Sequence, residues 1–246
     1  FTIGMEDAAY NEAEAAAAIA AHLGTEHTQL TITEQDAKAV LPKLSHMFGE
    51  PFADSSQIPT YLVSKLTREH VTVSLSGDGG DELFCGYGTY QSITNAWNKI
   101  RKIPQPVRSA AGYFLTDGPF SKKETNQIRG MLLSAHNAEE LYARSDLSEP
   151  FLGKIAKERG SARSIFEIYE SGYLADVQHN LMLMDLLMYH PDDILVKVDR
   201  TAMAVSLESR VPMLDKDVVE FAWSLPVWMK WENGRGKLVL RDVLYR

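Results

Sequence analysis

A single cysteine, Cys85, in 246 residues excludes an internal disulfide framework and any multi-cysteine zinc site, and it fits a reducing compartment. No apolar run approaches the roughly 20 residues that a bilayer-spanning helix needs, and no charged segment followed by an apolar one opens the chain as a secretory leader would. Basic residues are in deficit: 25 Lys and Arg stand against 33 Asp and Glu, a formal net charge of -8. A broad cationic surface for a phosphate backbone is therefore missing. The expectation is a soluble, cytoplasmic protein with neither a nucleic-acid nor a membrane partner. The apolar fraction, 45%, is ample for a core in one large or two small domains.

The chain begins at Phe1 and opens directly into a strand-like run, and residues 237–246 form an amphipathic helical pattern with no stop signal behind it. Both ends read as cut, so a fragment is expected. Residues 1–5 and 28–32 read as strands around an alanine-rich helix at 7–23 that Gly24 caps. Thr33 and Asp36 resemble a capping box for a helix through Met47; a polar loop covers 50–56; Pro59 suits the first turn of a helix through His70; and 71–75 is a strand. This β-α-β-α order predicts an α/β fold, a parallel sheet flanked by helices. Past Tyr90 no strong strand signal appears, and helical stretches recur at 138–142, 164–188, 201–206 and 217–225, so the second half reads as largely helical. Pro104, Pro106, Gly112, Gly118 and Pro119 suggest an irregular connection between the halves. The expected organisation is one domain over 1–246, with an α/β nucleotide-binding part at 1–90 and a mainly helical part at 91–246.

Chemistry concentrates directly after the strand at 71–75, where Ser76-Gly77-Asp78-Gly79-Gly80-Asp81-Glu82 leads into helical-looking residues 83–87. A Gly-rich loop at the carboxyl end of a parallel strand is where open α/β sheets bind ligands. Ser76 can donate a hydrogen bond, and the glycines let backbone amides approach a phosphate. Asp78, Asp81 and Glu82 would repel phosphate directly but can hold Mg²⁺, which bridges to phosphate oxygens. The segment has neither the G-K-[ST] ending of a P-loop nor the G-x-G-x-x-G spacing, and it is not an EF-hand, because the twelfth residue from Asp78 is Thr89. Two readings stay open on these residues: a Gly/Asp turn that merely starts a helix, or a magnesium-nucleotide site.

A second constellation spans 191–215. Glu208 and Arg210, with Asp199, Arg200 and Asp215, can form a partly buried ion network that clamps helices; alternatively, Asp193 and Lys197 line a cleft and bind an amino-acid substrate or arrange phosphates. His22, His27, His46 and His70 lack metal-ligand spacing and read as surface or packing residues. Cys85 reads as structural, and Met182, Met184 and Met188 as core.

Taken together, FTIGMED at 1–7, HLGTEH at 22–27, LSGDGGDELFCGY at 75–87 and DDILVKVDRTAMAVSLESRVPMLD at 192–215 resemble the synthetase domain of the glutamine-dependent asparagine synthetase family. The resemblance implies an adenine nucleotide alpha hydrolase-like fold of ATP pyrophosphatase type. ATP and aspartate would form β-aspartyl-AMP, from which ammonia, drawn from glutamine by a separate glutaminase domain, displaces AMP. ATP and Mg²⁺ are the implied cofactors, and a homodimer the implied assembly. Ile3 would pack near adenine; Ser76, Gly77, Gly79 and Glu82 would contact nucleotide; Asp81 would hold Mg²⁺ and pyrophosphate. Asp78, where the family carries Glu or Asp, would act in forming the intermediate and guiding ammonia. Asp193 and Lys197 would stand on the substrate side. The family's glutaminase domain, its S-G-G-x-D-S pyrophosphate loop and a lysine beyond the last helix are not in this sequence, so the chain alone is expected to be inactive. Competing expectations are a β-lactam-synthetase-like enzyme acting on another carboxylate and a non-catalytic nucleotide-binding module.

Overall fold

The computed structural model describes residues 1–5, 11–116, 129, 130, 132–146 and 174–245. In chain order these form β1 (Thr2–Met5), α1 (Ala13–Leu23), β2 (Gln29–Ile32), α2 (Glu34–Phe48), α3 (Gln57–Arg68), β3 (Val73–Leu75), α4 (Gly80–Phe84), α5 (Gly88–Ile100) and α6 (Gln105–Thr116). They continue as α7 (Ala138–Asp146), α8 (Val177–Leu187), a π-helical turn (His190–Ile194), α9 (Leu195–Met203), β4 (Glu208–Arg210), α10 (Lys216–Ser224), α11 (Val227–Lys230) and α12 (Leu238–Leu244). The chain divides into two compact units, one of Phe1–Asp78 with Tyr189–Val218 and one of Gly79–Met188 with Val219–Arg246.

All four described strands belong to the first unit. β1 pairs in parallel with β2, Ile3 opposite Leu30, and β3 pairs in parallel with β4, Ser74 opposite Ser209. Parallel neighbours require a crossover, and α1 supplies it between β1 and β2. Gly24 ends α1 in the left-handed region at φ +66°. The capping box is formed: Asp36 N–H donates to Thr33 Oγ1 at 3.2 Å, and Thr33 N–H donates to Asp36 Oδ2 at 3.0 Å.

Three sequence expectations need correction. Residues 208–210 form a strand, although no strand was expected past Tyr90; a three-residue Glu-Ser-Arg segment carries no β-branched or alternating pattern, and its pairing with β3 alone makes it one. Helix α4 lies within the glycine-rich loop rather than beyond it, because Gly79 turns the chain at φ +85° and Cys85 ends the helix at φ +56°. Pro104 and Pro106 flank the start of α6 rather than an irregular link, where a missing N–H costs nothing. Gly118, Pro119 and residues 164–173 of the expected helix lie outside the described residues, as do Glu6 to Tyr10.

The second unit is helical. Its core gathers Cys85, Tyr90, Ile93, Leu141, Leu181, Met182 and Met184. Within it Asp185 accepts hydrogen bonds from Tyr90 Oη at 2.6 Å and from Tyr142 Oη at 2.8 Å. Burial, and then the Asp185 charge, push the Tyr90 hydroxyl far up its range. Cys85 is fully buried; burial pushes its thiol up to about 11 even though Lys230 opposes the shift, so it packs rather than reacts, as expected. Lys230 is also fully buried, its Nζ 5.2 Å from the Trp223 ring centre, and burial pulls it down to about 8.

Candidate active site

The first unit brings β3 to its carboxyl end at Ser76. Ser76 N–H donates to Arg210 O at 2.9 Å, which extends the β3–β4 ladder by one bond and holds the start of the loop against β4. Ser76 Oγ is buried and has no hydrogen-bond partner among the described residues. A buried hydroxyl without a partner costs about 1–3 kcal/mol, so this oxygen is suited to a ligand that satisfies it. Gly77 is exposed with open space around it, and Asp78 is half-buried. Ile3 is half-buried in β1.

Lys197 is the best-defined charged group of this unit. The π-helical turn shifts the start of α9, and such turns concentrate at functional sites. Lys197 Nζ then donates to Asp54 Oδ2 at 2.5 Å and to Ser56 Oγ at 2.7 Å. Asp54 in turn accepts Ser56 N–H and Oγ–H, both at 2.7 Å, so the 50–56 loop is folded around one carboxylate. Burial alone would raise Asp54, but the hydrogen bonds from Lys197 and Ser56 outweigh it and hold the carboxyl below its ordinary value. Asp193 is half-buried on the π-helical turn. Nothing local in the sequence marks Asp54 and Ser56, which lie 143 and 141 residues from Lys197.

The side chains of Lys197 and Asp54 are only 12% and 16% exposed, so removing one partner leaves the other charge poorly solvated. Lys197→Met is expected to destabilise the protein by about 2 kcal/mol at pH 7, below the full penalty of a deeply buried pair because some solvent reaches it. The sign with pH is fixed by the lowered Asp54 carboxyl. Its contribution is complete above the unfolded carboxylate range, near pH 4, and disappears as pH falls through the lower folded value. Chemical denaturation between pH 3 and 7 should show the difference between wild type and variant shrinking in acid; a constant difference would contradict the assignment.

The expected ion network around Glu208 and Arg210 is a correction. Arg210 Nε pairs with Glu208 Oε1 at 2.8 Å, yet the two side chains are 64% and 56% exposed, and among the described residues no ion pair joins Asp199, Arg200 or Asp215 to them. Solvated pairs of this kind stabilise little.

In the second unit α4 presents the rest of the acidic segment. Gly79 is buried at the turn, and Asp81 is about one-third exposed with Oδ1 2.8 Å from Lys237 Nζ. Glu82 faces inward instead: it is 1% exposed and accepts Tyr87 Oη–H at 2.8 Å, so its carboxylate supports the loop from within. Nothing local in the sequence marks Lys237, which stands in an amphipathic helical pattern. Among the described residues no group of three His, Cys, Asp or Glu side chains could hold a metal ion. No helix of the described residues is long and apolar enough to cross a membrane.

Known proteins resemble this chain along its whole length. The asparagine synthase family model matches residues 1–246. The glutamine-hydrolyzing asparagine synthetase 1 of Bacillus subtilis is 32% identical over 98% of this chain, and a putative glutamine-hydrolyzing asparagine synthetase of Mycobacterium bovis is 32% identical over 99% of it. A putative glutamine-hydrolyzing asparagine synthetase 2 of Methanocaldococcus jannaschii is 34% identical over 82% of the chain. The chain spans 38% of the length of the first two relatives and 39% of the third. A family match across every residue, on parallel β pairs that lead into the Ser76 loop, establishes that the chain belongs to the asparagine synthase family and has its adenine nucleotide alpha hydrolase-like fold.

Proposed function

We propose that the protein bearing this chain converts aspartate to asparagine with ATP, using ammonia released from glutamine. The whole-chain family match carries this reading, and each of the three relatives above is named as a glutamine-hydrolyzing asparagine synthetase. In the proposed reaction an aspartate side-chain carboxylate oxygen attacks the α-phosphorus of ATP and pyrophosphate leaves. Ammonia then attacks the acyl carbon of β-aspartyl-AMP, AMP leaves with the electron pair of the broken C–O bond, and the nitrogen loses a proton.

The roles fall on residues already described. Ile3 stands beside adenine, while Ser76 Oγ, buried and unpartnered, donates to the nucleotide together with the Gly77 and Gly79 amides. Asp78 accepts the proton lost as ammonia attacks, a task suited to a carboxylate in reach of the acyl centre. Asp193 and Lys197 work from the substrate side. Lys197, held by Asp54 and Ser56, fixes that wall rather than moving a proton.

Among the described residues Mg²⁺ would be held by Asp81. This cation keeps several waters and takes one or two carboxylates plus substrate phosphates, and Asp81 is a single, partly exposed carboxylate of that kind. When bound, Mg²⁺ neutralises developing charge on the pyrophosphate oxygens. A cytoplasmic location and a homodimer belong to the same proposal; the single buried thiol suits a reducing compartment.

Incubating the full protein with Mg-ATP, aspartate and glutamine or ammonium should give asparagine, AMP and pyrophosphate in equal amounts. Formation of ADP and phosphate would overturn the adenylate reading. Amide formation on a different carboxylate, or ring closure within one substrate, would overturn the choice of aspartate.

A further inference from the structure

Away from the residues given a role above, the first unit holds an open cleft of about 450 Å³, lined from α2, α3 and the second half of α9. Clefts of this size suit a small molecule. The lining mixes three chemistries. Lys43 and Arg200 are cations, Asp199 is a carboxylate, and Met47 and Met203 are apolar, with His46 and Tyr61 completing the wall. Two cations against one acid reverse the balance of the chain as a whole, whose formal net charge is -8.

These charges are not spent on one another. Among the described residues neither Lys43 nor Arg200 forms an ion pair with Asp199, although all three line the same cleft. Lys43 Nζ instead lies 5.6 Å from the centre of the Tyr61 ring. Tyr61 is 7% exposed, yet its hydroxyl has no hydrogen-bond partner among the described residues. Both signs of charge and a phenol donor are therefore left to a ligand. A smaller hollow of about 190 Å³ shares Asp199 and Met203 with the cleft, and its other walls are largely apolar, Val198, Leu207 and Val211 among them. Lys197, on the first turn of α9, lines neither, because it is turned to Asp54 and Ser56.

We propose that this cleft binds a free amino acid with an apolar side chain, at a site separate from the one assigned to the reaction. The ligand's carboxylate meets Lys43, Arg200 and the Tyr61 hydroxyl, and its ammonium meets Asp199. Its side chain lies along Met203 toward the smaller hollow, where a flexible thioether adapts to its shape. A simple anion would set a second negative charge against Asp199, and a simple cation would face Lys43 and Arg200; a zwitterion satisfies both signs. The inference stands independently of the synthetase reading, since none of these side chains has a part in the proposed reaction.

Calorimetry of the full protein with leucine tests this, beside isocaproate, which lacks the ammonium, and leucinamide, which lacks the carboxylate. Leucine is expected to bind, and each analogue to bind about tenfold or more weakly, the loss of one charge-assisted contact. Asp199→Asn should weaken leucine by a similar factor while leaving isocaproate unchanged or tighter. Arg200→Met should weaken leucine and isocaproate alike. Equal affinity for leucine and either analogue overturns the zwitterion reading, and leucine binding that neither substitution weakens belongs elsewhere and overturns the site. Absence of leucine binding in folded wild type overturns the proposal outright. The wild-type ligand series decides even if a variant fails to fold, and its failure leaves the synthetase reading to be judged by its own products.

Discussion

Asp81→Ala in the full protein is expected to lose Mg²⁺-dependent ATP binding by about 100-fold or more while leaving the fold intact. A cation that takes one or two protein carboxylates plus phosphate oxygens loses much of its protein charge with either of them, which sets the size of the loss. The fold is expected to survive because Asp81 is partly exposed and its pair with Lys237 is solvated, worth at most about 1 kcal/mol. Calorimetry with Mg-ATP, beside thermal melts of both proteins, separates these effects. Equal nucleotide affinity in wild type and variant would remove Asp81 from the site.

Asp78→Ala should behave differently. A proton acceptor that acts as ammonia attacks contributes about 10² to 10⁴ in rate, and its removal leaves nucleotide binding nearly unchanged. The expected signature is a collapse of kcat for amide formation with little change in the KM for ATP. Asp78→Glu should retain much of the activity, since the family resemblance allows either carboxylate at this position. Asp78 is half-buried beside the exposed Gly77, which gives the longer side chain room. Loss of ATP binding in Asp78→Ala, with kcat preserved in whatever enzyme remains saturable, would reassign the residue to nucleotide binding.

What the sequence disclosed depended on how local the signal was. The Thr33–Asp36 capping box and the Gly24 cap are decided within a few residues, and both stand as read. The glycine-rich turn behind the β-branched run was legible, and Gly79 makes it at φ +85°. Long-range pairing was hidden. β4 is a strand only because β3 lies beside it, and Lys197 finds Asp54 and Ser56 across more than half the chain. Orientation was hidden as well: in the run Asp81-Glu82 the second carboxylate turns inward to Tyr87, because adjacent positions on a helix point in different directions. The placement of Lys237 beside Asp81 depends on a tight turn and closely approaching glycines, which no local pattern announces.

In the proposed reaction a carboxylate oxygen of aspartate passes through a bond to the α-phosphorus of ATP. Aspartate labelled with ¹⁸O in its side-chain carboxylate tests this most directly in the full protein, with AMP, pyrophosphate and asparagine examined by mass spectrometry after turnover. One ¹⁸O is expected in AMP for each asparagine formed, and none in pyrophosphate. Label in inorganic phosphate alongside ADP, or asparagine formed with no label in AMP, would contradict it.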